Sequence, residues 1–349
     1  MRDVSTPLDM TEKKKAYARA GVDVDLGNRL KRRIQTLVRQ THGLQVLGKI
    51  GGFGGLFAPN FSGTREPILV ASIDGVGTKL KIAFAMKKHD TVGADLVNHC
   101  VNDIAVLGAR PLFFLDYIGC EKLEPPIFNQ LLRGFSRACR FAGCALIGGE
   151  TAQMPAMYRK GEYDLAGCIV GVVDRARIID GSNIKPGDAI LGLASNGLHT
   201  NGYSLARKIL FEKMRLKIGS RLPGSNITVG EELLRLHKNY QLRLAKAPSG
   251  IIKGLAHITG GGLIGNLPRI LPKSCDAVVD TKSWRVPPIF QILQRNGDVD
   301  PAEMYQVFNM GIGMVAIVSE GDVSRTMLIL KAKRIGRIEL GRGKTKLVF

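Results

Sequence analysis

The sequence predicts a layered protein of the α/β (α+β) class with two domains. Apolar runs of strand length alternate with stretches of helical periodicity, as in sheet-and-helix layers. The 42 glycines gather between those runs without a fixed period, which fits tight turns and excludes a fibrous chain. The 349 residues, 45% of them hydrophobic, are more than one ordinary core holds.

In the first half, Leu26, Leu30, Ile34, Leu37 and Val38 recur at helical spacing and predict a helix. A Gly-rich loop, Gly51-Gly52-Phe53-Gly54-Gly55, comes next. Ile68–Ile73 reads as a strand ending in Asp74-Gly75-Val76-Gly77-Thr78-Lys79. Leu80–Met86 and Gly93–Leu107 read as helices, the second closed by Gly108 and Pro111. Leu112–Ile118 is a strand, Ile127–Phe141 a helix, and Cys144–Ile147 a strand ended by Gly148-Gly149-Glu150-Thr151. Tyr163–Val173 completes the first sheet. Asp180–Asp188 is rich in turn formers and has no apolar period, so it divides a domain over 1–179 from one over 180–349. The second half restarts with the strand Ala189–Ala194 and the helix Gly202–Phe211. A loop at His257–Gly262, a further helix and a late strand, Gly313–Val318, follow.

Composition narrows the function classes. No apolar run reaches the ~20 residues that cross a bilayer, and the N-terminus lacks the apolar core of a secretory signal. A cytoplasmic protein is expected. The six cysteines are scattered without a Cys-x-x-Cys pair, as reduced structural thiols are. The net charge of +20 raises a nucleic-acid partner as a rival reading. Its basic residues are spread out, with no aromatic interleaving and no zinc-finger or RNP signature, so a basic surface suited to anionic small ligands is expected instead.

The candidate chemistry lies in acids, glycines and two histidine loops. Asp74 follows an apolar strand, and Glu150 follows another. Asp95 and Asp103 are eight residues apart on one predicted helix, close to two turns, and so share a face. Carboxylates so placed suit a hard cation such as Mg2+, which binds through one or two of them plus substrate phosphates. Gly75 and Gly77 free backbone amides for a phosphate, with Thr78 and Lys79 beside them; the loop is not a Walker A motif. Ser195–Leu205 follows a strand and opens a helix, a place for an anion. Its His199 is a candidate acid or base, and His257 precedes another glycine loop.

Read in order, these motifs resemble the phosphoribosylformylglycinamidine cyclo-ligase family. They are Ala20-Gly-Val-Asp-Val-Asp25, Asp74-Gly-Val-Gly-Thr-Lys79, Cys100-Val-Asn-Asp-Ile104, Gly148-Gly-Glu-Thr-Ala-Gln-Met-Pro155, Ser195-Asn-Gly-Leu-His-Thr-Asn-Gly-Tyr-Ser204, His257-Ile-Thr-Gly-Gly-Gly262 and Phe308-Asn-Met-Gly-Ile-Gly-Met314. The resemblance runs from about Tyr17 to about Val318. It implies ATP-dependent ring closure of formylglycinamidine ribonucleotide to aminoimidazole ribonucleotide through an iminophosphate, in purine synthesis. It also implies a homodimer that pairs N-terminal sheets, with each active site in a cleft between the two domain types. Asp74, Asp95, Asp103 and Glu150 are then metal or nucleotide-phosphate ligands. Lys79, Gly51, Gly52, Gly54, Gly55, Gly75, Gly77, Thr78, Asn102 and Thr151 hold ATP or its phosphates. Asn196, Thr200, Asn201, His257, Thr259, Gly260 and Gly261 meet the substrate, and His199, Lys79 and Asp74 act in the chemistry. Three features depart from the pattern: the dense basic run at Lys31, Arg32 and Arg33, the lack of a basic residue in Met304–Val307, and the basic tail after Ala332. Thiamine-monophosphate kinase and selenophosphate synthetase are the nearest rival families. The Gly148–Pro155 and His199–Ser204 segments favour the cyclo-ligase, and no reactive cysteine stands near the N-terminal glycines.

Overall fold

The computed structural model describes residues 24–47 and 54–349. The N-terminal half runs α1 (Val24–Arg39), β1 (Pro67–Gly75), α2 (Leu80–Met86), α3 (Asp90–Ala105), β2 (Arg110–Cys120), α4 (Pro125–Ala142), β3 (Ala145–Gln153) and β4 (Tyr163–Asp174). The C-terminal half runs β5 (Ala189–Ala194), α5 (Tyr203–Arg207), α6 (Val229–Leu233), α7 (Gln241–Leu244), β6 (Ile252–His257), α8 (Gly262–Asn266) and β7 (Cys275–Asp280). It ends with α9 (Pro288–Gly297), α10 (Pro301–Val307), β8 (Ile312–Val318), α11 (Val323–Leu330), β9 (Lys333–Leu340) and β10 (Thr345–Val348).

Each half is built on its own sheet, ordered β1-β4-β2-β3 in the first and β10-β7-β9-β5-β8-β6 in the second. β2 and β3 pair in parallel, as do β7 and β10, and every other ladder is antiparallel. Helices α3 and α4 cover one face of the first sheet. They cross so closely that a Cβ on Gly134 would lie 2.2 Å from the Asp90 carbonyl oxygen, so only glycine fits there. The other sheet face stays open on β1. Ile68 and Val70 pack into the core, while Leu69 and Ile73 point outward, 62% and 72% exposed.

Four expectations shift. The helix expected at Gly93–Leu107 starts at Asp90 and ends at Ala105. The Gly148-Gly-Glu-Thr segment is not a loop after a strand: β3 continues through it, paired with β2 as far as Gln153. The helix expected over Gly202–Phe211 is a five-residue α5 followed by a π-turn, Lys208–Lys213. The basic tail after Ala332 forms β9 and β10, whose inward residues Ile335 and Ile338 join the core. The side chains of Lys31, Arg32 and Arg33 lie outside the described residues.

The two halves are joined through the polar face of α3. Asp95, Asn98 and Asn102 recur at three- and four-residue spacing and grip the segment from Arg235 to Tyr240. His237 N–H donates to Asp95 Oδ1 (2.6 Å), and Tyr240 N–H to Asn102 Oδ1 (2.9 Å). Asn98 Nδ2 donates to the His237 carbonyl (2.8 Å), and Asn102 Nδ2 to that of Lys238 (2.8 Å). Lys79 completes the joint. Its ammonium lies 2.6 Å from Asp95 Oδ2 and donates to the Arg235 carbonyl at 2.7 Å, and both side chains of the ion pair are fully buried.

A buried pair tolerates the loss of both charges far better than the loss of one. Asp95→Ala is expected to cost about 3–5 kcal/mol in urea unfolding, since it strands the Lys79 charge. The double variant Lys79→Met with Asp95→Leu is expected to recover most of that. A cost below about 1 kcal/mol for the single variant would show that the pair does not hold the joint.

Candidate active site at the junction of the two halves

The helix-facing side of β1 changes from apolar to polar along the strand. Ile68 and Val70 give way to Ser72 and Asp74, which meet α3. Ser72 Oγ donates to Asp103 Oδ2 (3.2 Å), and His99 Nε2 lies 2.7 Å from Asp74 Oδ2 and 3.8 Å from Asp103 Oδ2. From the other half, β6 ends in His257, whose Nδ1 is 2.8 Å from Asp103 Oδ1. The second sheet makes this meeting possible. β5, β8 and β6 are neighbours, so the loops after β5 and β6 and before β8 share one end. Ser195 Oγ donates to Asn309 Oδ1 (2.8 Å) and Asn309 Nδ2 to the Gly197 carbonyl (2.9 Å), which braces the histidine loop.

Behind the two carboxylates lies a buried chain of hydrogen bonds. His99 Nδ1 is 2.8 Å from Thr200 Oγ1, which is 3.2 Å from His237 Nδ1; His237 Nε2 is 3.0 Å from His257 Nε2. The His199 ring stacks on His237 at 4.2 Å between centroids. Asn196 Nδ2 donates to the Leu236 carbonyl, so its Oδ1 faces His199 and receives the Nε2 proton at 3.0 Å. That leaves His199 Nδ1 as a buried acceptor with no partner. His199 sits at φ 63°, and a Cβ at Gly313 would be 2.5 Å from its Cε1, so the ring needs that glycine.

Charge follows this packing. Burial works to raise Asp74 and Asp103, but their hydrogen bonds from His99 and His257 outweigh it, and both carboxyls fall below their ordinary value. Burial works to lower His99, but Asp74 and Asp103 raise it above its ordinary value. Burial dominates at His199, His237 and His257 and lowers all three. The result is an anionic edge, with carboxylate side chains 42% and 26% exposed, on a floor of neutral imidazoles.

Of the predicted site residues, the structure brings together Asp74, Asp103, Asn196, His199, Thr200 and His257. Asn201 adjoins them, its Nδ2 3.4 Å from Thr200 Oγ1. Gly77 shapes the turn after β1 with φ 69°, and the Gly75 amide donates to Asp74 Oδ1 (2.6 Å). Thr78 Oγ1 reaches Ser204 Oγ across the junction at 3.1 Å. Thr259, Gly260 and Gly261 form the turn into α8, with Thr259 Oγ1 3.5 Å from Asn266 Oδ1.

Others stand elsewhere. Lys79 and Asp95 neutralise each other in the interior, so as placed neither side chain is open to a phosphate or a metal. Asn102 is fully buried, and its amide is spent on Lys238 and Tyr240. His199 is 1% exposed, so it is an enclosed histidine rather than a surface one. Glu150 and Thr151 lie on β3, at the opposite edge of the sheet from Asp74; three strand spacings put them roughly 14 Å away. Gly55 packs against Ile147 of β3, so this loop also belongs to the far edge. Gly51 and Gly52 lie outside the described residues. Ser72, His99 and His237 were not singled out from the sequence. His99 had a signal there, since it falls midway between Asp95 and Asp103 on the same stripe, whereas His237 had none.

Asp74 and Asp103 offer two partly open carboxylates, oxygen donors of the kind that magnesium takes together with substrate phosphates. Two cavities are lined by other residues. One of about 580 Å3 is lined by Thr41, His42, Arg110 and Arg140, and one of about 600 Å3 by Arg177, Gln241 and Ser249 among others.

Residues 63–173 match the model of the AIR synthase related protein N-terminal domain, and residues 185–346 the corresponding C-terminal domain, so the match includes β9 and the first half of β10. The phosphoribosylformylglycinamidine cyclo-ligase of Syntrophotalea carbinolica is 53% identical over 320 residues, 91% of each chain. That of Syntrophus aciditrophicus is 50% identical over 341 residues, 95% of this chain and 98% of its own. Two solved structures share the fold: thiamine-monophosphate kinase from Stenotrophomonas maltophilia (TM-score 0.67, 19% identity, 93% of this chain and 96% of that one) and hydrogenase maturation protein HypE in complex with ATP (TM-score 0.66, 18% identity, 90% of each). With half its residues shared along nearly the whole length of such relatives, the chain belongs to the phosphoribosylformylglycinamidine cyclo-ligase family.

Proposed function

We propose that this cyclo-ligase gathers the phosphates of ATP and the formyl group of its substrate at the edge formed by Asp74, Asp103, Thr200 and His257. As a member of its family the chain is a ligase that uses ATP to close the imidazole ring of aminoimidazole ribonucleotide, a step of purine biosynthesis. One observation carries the placement. Two ionised carboxylates from different elements are held partly open to solvent, over a buried floor to which both halves contribute.

Ring closure at a formyl amide needs its oxygen converted into a leaving group. In our reading the γ-phosphoryl group passes to that oxygen, giving an iminophosphate. The ribose-bearing amidine nitrogen then attacks the same carbon, and inorganic phosphate departs with the oxygen. Magnesium bound to Asp74 and Asp103 would neutralise the phosphoryl charge. The chain's own residues supply position. His99 and His257 fix the two carboxylates in orientation and keep them ionised, and Thr200 ties the rings together. His199 acts as a positioning residue, propping His237 and orienting Asn196 at the rim. Lys79 secures the joint from the interior and does not touch phosphate.

We also propose a cytoplasmic homodimer. Among the described residues no helix is long and apolar enough to cross a membrane, and all six cysteines are free. The open face carrying Leu69 and Ile73 supports pairing through β1. Sedimentation of the purified protein as a monomer at micromolar concentration would sink that part.

Asp74→Asn is expected to reduce substrate-dependent ADP release by about 10²-fold or more, with circular dichroism unchanged. Turnover near the wild-type rate would remove Asp74 from the site.

The buried rings also set a pH limit. His89, His199, His237 and His257 all fall below their ordinary value of 6.5 on burial, so the unfolded chain takes up protons near that pH that the folded chain refuses. Stability from these groups is lost as pH falls below about 6.5, by up to about 1.4 kcal/mol per pH unit for each. His99, raised by its carboxylates, opposes them; its contribution is complete below 6.5 and is lost as pH rises through its folded value. Asp95 and Asp116, raised by burial, the latter to about 7, oppose them too. Four against three predicts a shallow drop in unfolding free energy on acidification from pH 7 to pH 5.5, measured by urea titration. A flat or rising profile would contradict the burial of these rings.

A further inference from the structure

The cavity of about 580 Å3 has a wall chemistry that the ring closure does not use. It opens where β2 and β3 begin, at the opposite end of the first sheet from Asp74. Asp74 and Asp116 both pair with Gly167, so they are level on the sheet. Arg110 lies six residues back along β2 from Asp116, about 20 Å away. Arg110, Arg140, His42 and Phe57 line the cavity together, and no acidic side chain of the described residues does. We propose that this cavity is a second site, separate from the catalytic edge, that takes a nucleoside monophosphate: its phosphate between Arg110 and Arg140, its base against Phe57.

The two cations are uncompensated. Arg137, one turn before Arg140 on α4, has Asp90 as its carboxylate partner at 3.4 Å. Arg110 and Arg140 have none among the described residues. Arg110 Nη2 donates to the Asn60 carbonyl (2.6 Å), and Arg140 Nη1 to Gln40 Oε1 (3.3 Å). A guanidinium has five N–H donors, so most of each fork is left for phosphate oxygens, which it meets in bidentate fashion. The last turn of α4 does not oppose an anion with bare carbonyls. The Gly143 and Cys144 amides donate to the Arg140 and Cys139 carbonyls (3.2 and 3.0 Å).

The walls are fixed from several sides. The Leu146 amide donates to Thr41 Oγ1 (2.9 Å), and His42 Nε2 donates to the Leu146 carbonyl (2.8 Å). His42 Nδ1 is then the acceptor of that ring, suited to a ribose hydroxyl. Phe57 is held by a bridge to Val46 and by its contact with Phe113, 5.3 Å between ring centroids. An aromatic face beside a pair of guanidiniums stacks a base of any sequence. The volume is within the range of small-molecule sites.

The test is calorimetric titration of the full-length protein with AMP in the absence of magnesium. One AMP per chain is expected at sub-millimolar concentration. Arg110→Gln and Arg140→Gln should each weaken it by about tenfold or more, with circular dichroism unchanged, and the double variant should abolish it. Phe57→Ala should also cost about tenfold, and ribose 5-phosphate should bind the wild type more weakly than AMP by a similar factor. Arg334→Gln, which alters an arginine held by Glu320 in the other half, should change nothing, and Asp74→Asn should keep the site. No uptake, uptake that survives the double arginine variant, or uptake lost in Asp74→Asn would overturn the proposal. Equal affinity for ribose 5-phosphate would overturn the nucleoside part of it. If the arginine variants do not fold, a crystal structure of the wild type with AMP decides: phosphate between Arg110 and Arg140 is expected, and AMP seated only elsewhere overturns the proposal. The ATP reading is tested separately, by turnover in Asp74→Asn.

Discussion

The structure depends on one helix face being polar where the helix is most deeply enclosed. α3 is buried on nearly every side, covered by α4 and by its own sheet, yet it carries Asp95, Asn98, His99, Asn102 and Asp103 along one stripe. None of these is left without a partner. Asp95 has Lys79 and the His237 amide, and Asn98 and Asn102 hold the backbone around His237 to Tyr240. A buried polar group left unpaired costs on the order of 1–3 kcal/mol. The stripe is therefore satisfied only when the C-terminal half sits where it does, and the docking of the two halves and the filling of the stripe are one event.

The site follows from where that stripe runs out. At its Asp95 end the charges are enclosed and neutralise each other. Two turns further on, at Asp103, the helix reaches the edge of β1, and the same kind of side chain opens to solvent. Enclosure turns Asp95 into mortar between the halves, and partial opening makes Asp74 and Asp103 available to a ligand. The four junction histidines convert the gap between these extremes into a floor whose ring orientations are set by neighbours rather than by solvent.

Much of the fold was legible in the sequence. β1, β2, β4, β5 and β8, together with α2 and α4, fall close to where apolar runs and helical periods place them, because each has a core side and a clear boundary. Asp74 and Asp103 were legible because they end a strand or share a helix stripe, and the His199 and His257 loops because they follow strands. The placements that the sequence did not show have a common cause. Lys79, Asp95 and Asn102 carry residue types that chemistry uses, but only the position of the other half shows that they are enclosed. Glu150 looked like a loop residue because Gly148-Gly149 reads as a turn, whereas the parallel partner β2 keeps that stretch extended. His237 lies in no motif and reaches the site only through the docking of the Arg235–Tyr240 segment. β9 and β10 were hidden by their basic outward residues.

The central claim is that ATP chemistry takes place on the carboxylate edge at the junction. The most direct measurement is a crystal structure with magnesium and a non-hydrolysable ATP analogue. The account predicts the terminal phosphates within metal-bridging distance of Asp74 and Asp103, with the Lys79–Asp95 pair still closed behind them. Phosphates seated instead in the cavity of about 580 Å3 beside Arg110 and Arg140 would contradict it.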